Sequence, residues 1–537
     1  MLKEESRVKN SVKNSAYGLL SYVLIYVFSF ISRAVLVRVL GNEYVGINGL
    51  FSNIISMISL TELGVGIAIA FSLYKPLAEG NKEQIKAIIL LYRKCYRAIA
   101  AVVAVVGVVL FFFLEFFIKD FQQSGVSLSL LRIVFSIFVV DAVSSYLLSY
   151  KKSLLMADQK KYLVANVHTV AKCLTAILQI VVLVVWKNFI FFSVFMLVSN
   201  MSENIVCLYL ANKKYPFIKE PQREKVDPTQ KKSIVKNIKA LILHKIGGFA
   251  VYSTGNILVS RFFGLVVSGK YSSYLMITTA INTSLEQIFS ATAAGYGNLL
   301  ALGNKKRAFE VFSVNFFLSF WMNSFCAIGL LILFQPFITV WVGEKSLLPA
   351  HTVFLMALYF YINGLRYPVQ VVKDAAGLFD NDKYAPLLEA VMNIGVSLLL
   401  ISVTGNISAV VLGTLITSIC IPFWNKPYIV FKHIFPGGLK KYFLQYFIYF
   451  AVAVGSGSLT YLLANAVSFS NVFLTMGYRL LLCLFIPNVI VILLFSRTAP
   501  FRDLLEILGR NRYLKPVCNL LLRMNTRGGV KDETADR

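Results

Sequence analysis

Charged side chains are rare inside the long apolar runs of this chain, and two kinds stand out among them. Arg33, Arg38, Lys172, Lys245 and Arg261 are cations; Glu62, Asp141, Glu203 and Glu286 are acids. A cation at the centre of a bilayer costs at least ~2.5–3.5 kcal/mol on insertion scales, so it normally faces a bundle interior, a wet cavity or an acidic partner. Buried cations suit an anionic group such as a phosphate, and a guanidinium meets phosphate with two parallel hydrogen bonds. A desolvated carboxylate can exchange a proton or hold a cation during a transport cycle. Plainer uses compete with these. Arg38 and Arg261 are near enough to the outer surface to snorkel, Lys245 is within reach of the inner interface, and the four acids can serve as structural partners for the cations.

Nothing in the chain points to covalent chemistry. His168, His244, His351 and His433 are scattered without metal-ligand spacing, no Walker motif follows a strand, and no Gly-x-Ser-x-Gly elbow occurs. Cys95, Cys173, Cys207, Cys326, Cys420, Cys483 and Cys518 form neither a disulfide framework nor a paired metal spacing. The expectation is a protein that is not an enzyme, with no metal and no cofactor. Its energy would come from a proton or sodium gradient or from the membrane potential.

The elements that hold these charges are membrane spans. Of 537 residues, 57% are hydrophobic and 15% charged, which excludes an ordinary soluble fold. Crossing a hydrocarbon core of ~30 Å takes about 20 helical residues, and by that criterion roughly fourteen spans are predicted. They fall near 15–39, 46–73, 87–114, 127–150, 162–185, 189–210, 240–263, 271–295, 309–334, 351–372, 385–403, 407–430, 443–465 and 473–496. The first run continues past Arg33 and Arg38 with no small-residue cleavage site, so it reads as a span and not as a signal peptide.

The net charge of +27 would suggest nucleic acid in a soluble protein, but its distribution says otherwise. With the N-terminus inside, about 42 of the 53 Lys and Arg fall in inner segments and about 4 in outer loops. That asymmetry predicts both termini in the cytoplasm, and the basic segments read as topology determinants drawn to anionic lipid. The outer connections, such as Gly41-Asn42-Glu43-Tyr44 and Trp186-Lys187-Asn188, leave no room for an outer catalytic domain.

A single offset of 223 residues maps one stretch onto another without a gap. Arg38, Gly41, Gly46 and the run from Leu77 to Lys82 land on Arg261, Gly264, Gly269 and the run from Leu300 to Lys305. Such a repeat suggests two bundles that rock around a shared site. The expected organisation is a six-helix lobe over 1–215, a basic cytoplasmic linker over 216–239, a second six-helix lobe over 240–442, two further helices over 443–496 and a basic tail over 497–537. The glycines of Leu63-Gly64-Val65-Gly66, Gly247-Gly248 and Gly295-Tyr296-Gly297 suit close helix packing or a hinge.

The passage from Arg33 through Arg38, Gly41, Tyr44, Gly46 and Gly49 to Asn53 resembles the polysaccharide transporter family of Wzx-type oligosaccharide flippases. Glu62-Leu63-Gly64-Val65-Gly66 and Tyr74-Lys75-Pro76-Leu77-Ala78 continue the likeness, and His244 through Gly264 looks like the family's seventh span. The family belongs to the multidrug/oligosaccharidyl-lipid/polysaccharide exporter superfamily. The resemblance implies an all-α membrane fold of two six-helix lobes enclosing a V-shaped cavity, followed by two more helices. It implies a substrate too: a polyprenyl-diphosphate-linked oligosaccharide, flipped from the cytoplasmic to the outer leaflet for capsule, O-antigen or teichoic acid synthesis.

On that resemblance Arg33, Lys172 and Lys245, with Arg38 and Arg261, are the expected cationic substrate site. Glu62, Asp141, Glu203 and Glu286 are the ion-coupling candidates. The expected setting is a bacterial or archaeal cytoplasmic membrane, with a polysaccharide polymerase and glycosyltransferases as partner proteins and no nucleic acid. The alternatives are a drug/cation antiporter of the same superfamily, whose cavity should be dominated by acids, and a lipid II flippase.

Overall fold

The structure is a computed structural model that describes residues 22–59, 72–77, 79–123, 125–158, 160–220, 228–378, 380–467, 469–509, 515–516 and 518, with side chains between 228 and 252 left aside. Every regular element among the described residues is a helix. This follows from the solvent: in hydrocarbon each backbone N–H and C=O must be satisfied within its own segment.

Ten helices among the described residues are long and apolar enough to cross a membrane. The helical elements begin with α1 (Tyr22–Leu40). After α2 (Asn42–Ile58) come α3 (Lys82–Phe112), α4 (Leu128–Leu148), α5 (Lys161–Trp186) and α6 (Phe189–Lys214). The next elements are α7 (Pro228–Ser290), α8 (Lys305–Trp341), α9 (Ala350–Gly364), α10 (Tyr367–Ala375) and α11 (Ala385–Thr404). The last are α12 (Ser408–Cys420), α13 (Pro422–His433), α14 (Leu439–Ala466), α15 (Val472–Phe495) and α16 (Ala499–Gly509).

The four remaining expected spans are present in other forms. Span two begins in α2, and its residues 60–71 lie outside the described residues. Spans seven and eight are the two arms of α7, separated at Gly264, whose φ of 84° and ψ of 174° are not helical. Span ten is α9 and α10, interrupted at Leu365 and Arg366. Among the described residues the fold is therefore all-α and polytopic.

The chain forms two compact units. The first contains Met1–Leu275, Trp341–Ser346 and Lys383–Thr414; the second contains Met276–Val340, Leu347–Asp382 and Leu415–Arg537. In the first unit Tyr92, Tyr96, Tyr146, Leu154 and Ile88 form a core. The Tyr92 hydroxyl is satisfied there by Tyr96 at 2.8 Å and Ser153 at 2.9 Å, as a buried phenol requires. In the second unit the core is aromatic: Phe320 stacks on Tyr449 at 4.3 Å between centroids, and Phe501 of α16 packs on Phe317 and Trp321.

The repeat is visible in backbone geometry. Gly41 breaks the chain between α1 and α2 at φ 98° and ψ 174°, the conformation Gly264 adopts between the arms of α7. Left-handed Gly80 and Gly303 precede Asn81 and Asn304, whose side chains accept from Gln84 N at 3.0 Å and Arg307 N at 3.1 Å to cap α3 and α8.

The two copies also meet reciprocally inside the first unit. A Cβ on Gly46 would overlap the Leu265 carbonyl, and a Cβ on Gly269 would overlap the Asn42 carbonyl. At an offset of 223, Gly46 pairs with Gly269 and Asn42 with Leu265, so each copy presents the same glycine to the same position of the other. Gly49 lies against Ser272, its own equivalent, which marks the local two-fold axis. Small residues let these backbones approach, as they do wherever membrane helices pack without a hydrophobic drive.

Candidate functional site

Polar side chains line one face of two neighbouring helices in the first unit. Lys187 adopts a left-handed conformation at the end of α5, and Asn188 caps α6 by accepting from Ile190 N and Phe191 N at 2.9 and 3.1 Å. This tight turn brings the helices back antiparallel. On α5, His168, Lys172, Thr175 and Gln179 recur at helical spacing; on α6, Asn200, Glu203 and Asn204 do the same.

These faces, with α4, make a ladder of two rungs. In the first, Lys172 Nζ donates to Asn200 Oδ1 at 2.9 Å, and Asn200 Nδ2 donates to both Asp141 carboxylate oxygens at 2.8 and 3.1 Å. Asn200 thus stands between a cation and an acid and joins them. In the second, Glu203 takes Lys152 Nζ on Oε1 at 2.5 Å and pairs with His168 Nδ1 through Oε2 at 2.8 Å. The Glu203 side chain is only 7% exposed, so these partners decide whether its charge can be held there. Asn204 continues toward Ser145 of α4 at 3.4 Å.

The connections near Lys214 carry a further cluster. Tyr215 donates its hydroxyl to Asp158 at 2.5 Å, and Lys160 pairs with Asp158 and donates to Tyr215 at 3.1 Å. Burial, then the neighbouring carboxylate, pushes the Tyr215 hydroxyl well above its ordinary range, so it stays a donor.

The cations expected from sequence divide three ways. Lys172 belongs to the ladder. Arg38 is exposed and gives Nη2 to the Trp341 carbonyl at 3.4 Å, while Arg261 sits 4.9 Å over the Phe116 ring. Both make local contacts at helix ends. Arg33 is half-buried in α1, and its Nη1 is buried without a hydrogen-bond partner among the described residues.

Of the acids, Asp141 and Glu203 are in the ladder and Glu286 is exposed in α7. Glu62 and the side chain of Lys245 lie outside the described residues. No group of His, Cys, Asp or Glu suited to a metal ion occurs among the described residues.

Sequence reasoning missed Lys152, His168 and Asn200. His168 precedes Lys172 by four residues and Asn200 precedes Glu203 by three, so the i, i+3 and i, i+4 rule applied to polar residues would have found two of them. It also missed the second unit's buried charges. Lys373 and Asp382 form an ion pair that is almost wholly buried. Arg366, 6% exposed, reaches Asn363 with one nitrogen and has no partner for Nε or Nη1 among the described residues.

A family model described as "Polysaccharide biosynthesis protein" matches residues 11–294, more than half of the chain. No curated protein matches it by sequence. Among solved structures, the chain is similar to one described as the lipid II flippase MurJ in an inward closed conformation, with 13% identity and a TM-score of 0.63 over 90% of this chain and 99% of that one. It is similar to an inward-facing multidrug resistance transporter of the MATE family and MOP superfamily, with 13% identity and a TM-score of 0.58 over 80% and 99% of the two chains. A variant of the Vibrio cholerae MATE transporter VcmN gives 14% identity and a TM-score of 0.53 over 82% and 99%. At these identities the likeness establishes a shared fold.

Proposed function

This chain belongs to the polysaccharide biosynthesis protein family of the multidrug/oligosaccharidyl-lipid/polysaccharide exporter superfamily, and on that premise we propose that it flips a polyprenyl-diphosphate-linked oligosaccharide across the cytoplasmic membrane. The observation that carries the reading is Arg33. A guanidinium nitrogen buried in a membrane helix with no hydrogen-bond partner among the described residues, as Arg33 Nη1 is, is costly unless an anion comes to the side chain, and a diphosphate is such an anion.

The head group enters from the cytoplasmic side and meets Arg33, while the polyprenyl tail stays in lipid. Alternating access then exposes the head group outside. Outward movement of each negative charge from a negative interior gains ~2.3 kcal/mol per 100 mV, so the potential drives the step. Lys172 and Lys245 are assigned to the same anion, with Lys172 held by Asn200 until it is needed. Asp141 and Glu203 are the groups through which a proton or sodium ion would couple, since each already shares its charge with a neighbour that can release it.

The MATE likeness favours one second reading, export of an organic cation, in which the same two acids would bind cargo. Proteoliposomes containing a fluorescent polyprenyl-diphosphate oligosaccharide separate the two. Flipping by the wild-type protein that is lost in Arg33→Ala at normal abundance supports the flippase. Efflux of a dye cation with no movement of the diphosphate lipid supports the antiporter. Flipping insensitive to both imposed potential and ion gradients removes the proposed energy sources.

A further inference from the structure

A cavity of about 850 Å³ opens within the second unit among α8, α9, α14 and α15, elements other than those that carry the ladder and Arg33. Its volume lies in the range of pockets that enclose an organic ligand, roughly 300–1,000 Å³. The walls are mostly apolar, with Ile328, Leu331, Phe354 and Leu462 among them, and Gln335, His351 and Tyr361 add polar groups from α8 and α9. Val454 and Leu462 are exposed residues of a membrane span, so the opening faces lipid.

One end of the cavity is different. Asn465 lies in the last turn of α14 and Arg479 in the second turn of α15. This is the end opposite Lys440, Lys441 and Arg497, where the basic residues of these two helices gather. Arg479 therefore contributes nothing to the charge bias that orients the helices. Its side chain lines the cavity, its Nη2 donates to Asn465 Oδ1 at 3.1 Å, and its Nε is buried with no hydrogen-bond partner among the described residues. A cavity-lining guanidinium held only by a neutral amide keeps its charge for an anion that enters the cavity.

We propose that this cavity is a binding site for a bilayer phospholipid, its acyl chains along the walls between α8, α9, α14 and α15 and its single phosphodiester on Arg479. The charge count selects the occupant. One permanent cation balances one phosphodiester, whereas a diphosphate would bring more negative charge than Arg479 can neutralise in a low-dielectric setting. The site is thus separate from the transported lipid, and it fills the space between α14–α15 and the helices they pack on.

The test is native mass spectrometry of the full chain in detergent, titrated with phosphatidylglycerol and with a diacylglycerol of the same chains. The wild-type protein is expected to bind phosphatidylglycerol and not diacylglycerol. Arg479→Gln should weaken binding about tenfold or more, the cost of one charge-assisted contact. Ser458→Trp, which places a large ring at an exposed position of the lining, should weaken it as much while keeping the guanidinium. Wild-type affinity in both variants, provided each keeps the wild-type melting temperature, overturns the proposal. Equal binding of diacylglycerol overturns the role of Arg479, and displacement of phosphatidylglycerol by an equimolar polyprenyl diphosphate overturns the assigned occupant.

Discussion

Arg33 and Asn256 occupy equivalent positions of the two repeats, yet the structure treats them in opposite ways. Asn256 is 2% exposed and fully engaged: it donates to Ser272 Oγ at 2.9 Å and accepts from Ser268 Oγ at 3.1 Å, beside the glycines where the two copies cross. Arg33 has a buried nitrogen that nothing engages among the described residues. The difference separates two uses of polarity in one scaffold. Asn256, whose partners are already present, holds helices together, and Arg33, with a buried nitrogen that has none among the described residues, is available to a ligand.

The largest effect expected from this division is at Glu203, which belongs to the engaged class. Glu203→Leu strands Lys152 in a partly buried position and should cost about 3–5 kcal/mol, as breaking buried pairs does. The double change Glu203→Leu with Lys152→Met should recover most of it. Thermal unfolding in detergent measures both, and a double variant no more stable than the single one would mean that the pair does not carry the ladder.

Next comes the pair that defines the comparison. Arg33→Ala should reduce flipping at least about a hundredfold, the scale of a lost buried charge contact, while leaving the melting temperature unchanged. Asn256→Ala should do the reverse, costing about 1–3 kcal/mol of stability through the hydroxyls it leaves unpaired, with residual protein still active. Equal losses of activity and stability in both variants would erase the distinction.

Gly46→Ala and Gly269→Ala should each destabilise by about 1–3 kcal/mol, because the new methyl group meets backbone that cannot rotate away. Similar costs for the two would sharpen the local symmetry; a cost at one only would show that one copy yields. The smallest effects are expected at Arg38→Gln and Arg261→Gln, which lose an exposed carbonyl contact and a cation–ring contact worth less than about 1 kcal/mol each. A large loss of flipping in either would return them to the substrate site.

How much of this could be read from sequence depended on the range of the interaction involved. The helices follow from apolar runs, and the duplicated breaks at Gly41 and Gly264 follow from the offset, because both are local properties of the chain. Asp141, Lys172 and Glu203 stood out as charges in apolar surroundings. Which charge meets which did not, since Asn200 is neutral and Lys152 looked like one more basic residue near the inner surface. The reciprocal approach of Gly46 and Gly269 was equally invisible: a glycine in sequence shows that a backbone can come close, but not whose. The place of Arg479 in the cavity wall is a property of four helices at once, and no spacing along the chain encodes it.

The contact of Gly49 with Ser272 has an implication for ancestry. An interface that maps onto itself when its two sides are exchanged is isologous, the kind that two identical subunits form when they close on a two-fold axis. The crossing of α2 with α7 is what a dimer of half-length chains would present, now tied into one polypeptide. Two identical halves would carry any substitution at this level twice; in this chain one copy has a neutral amide that knits the crossing together, and the other a guanidinium nitrogen with no hydrogen-bond partner among the described residues.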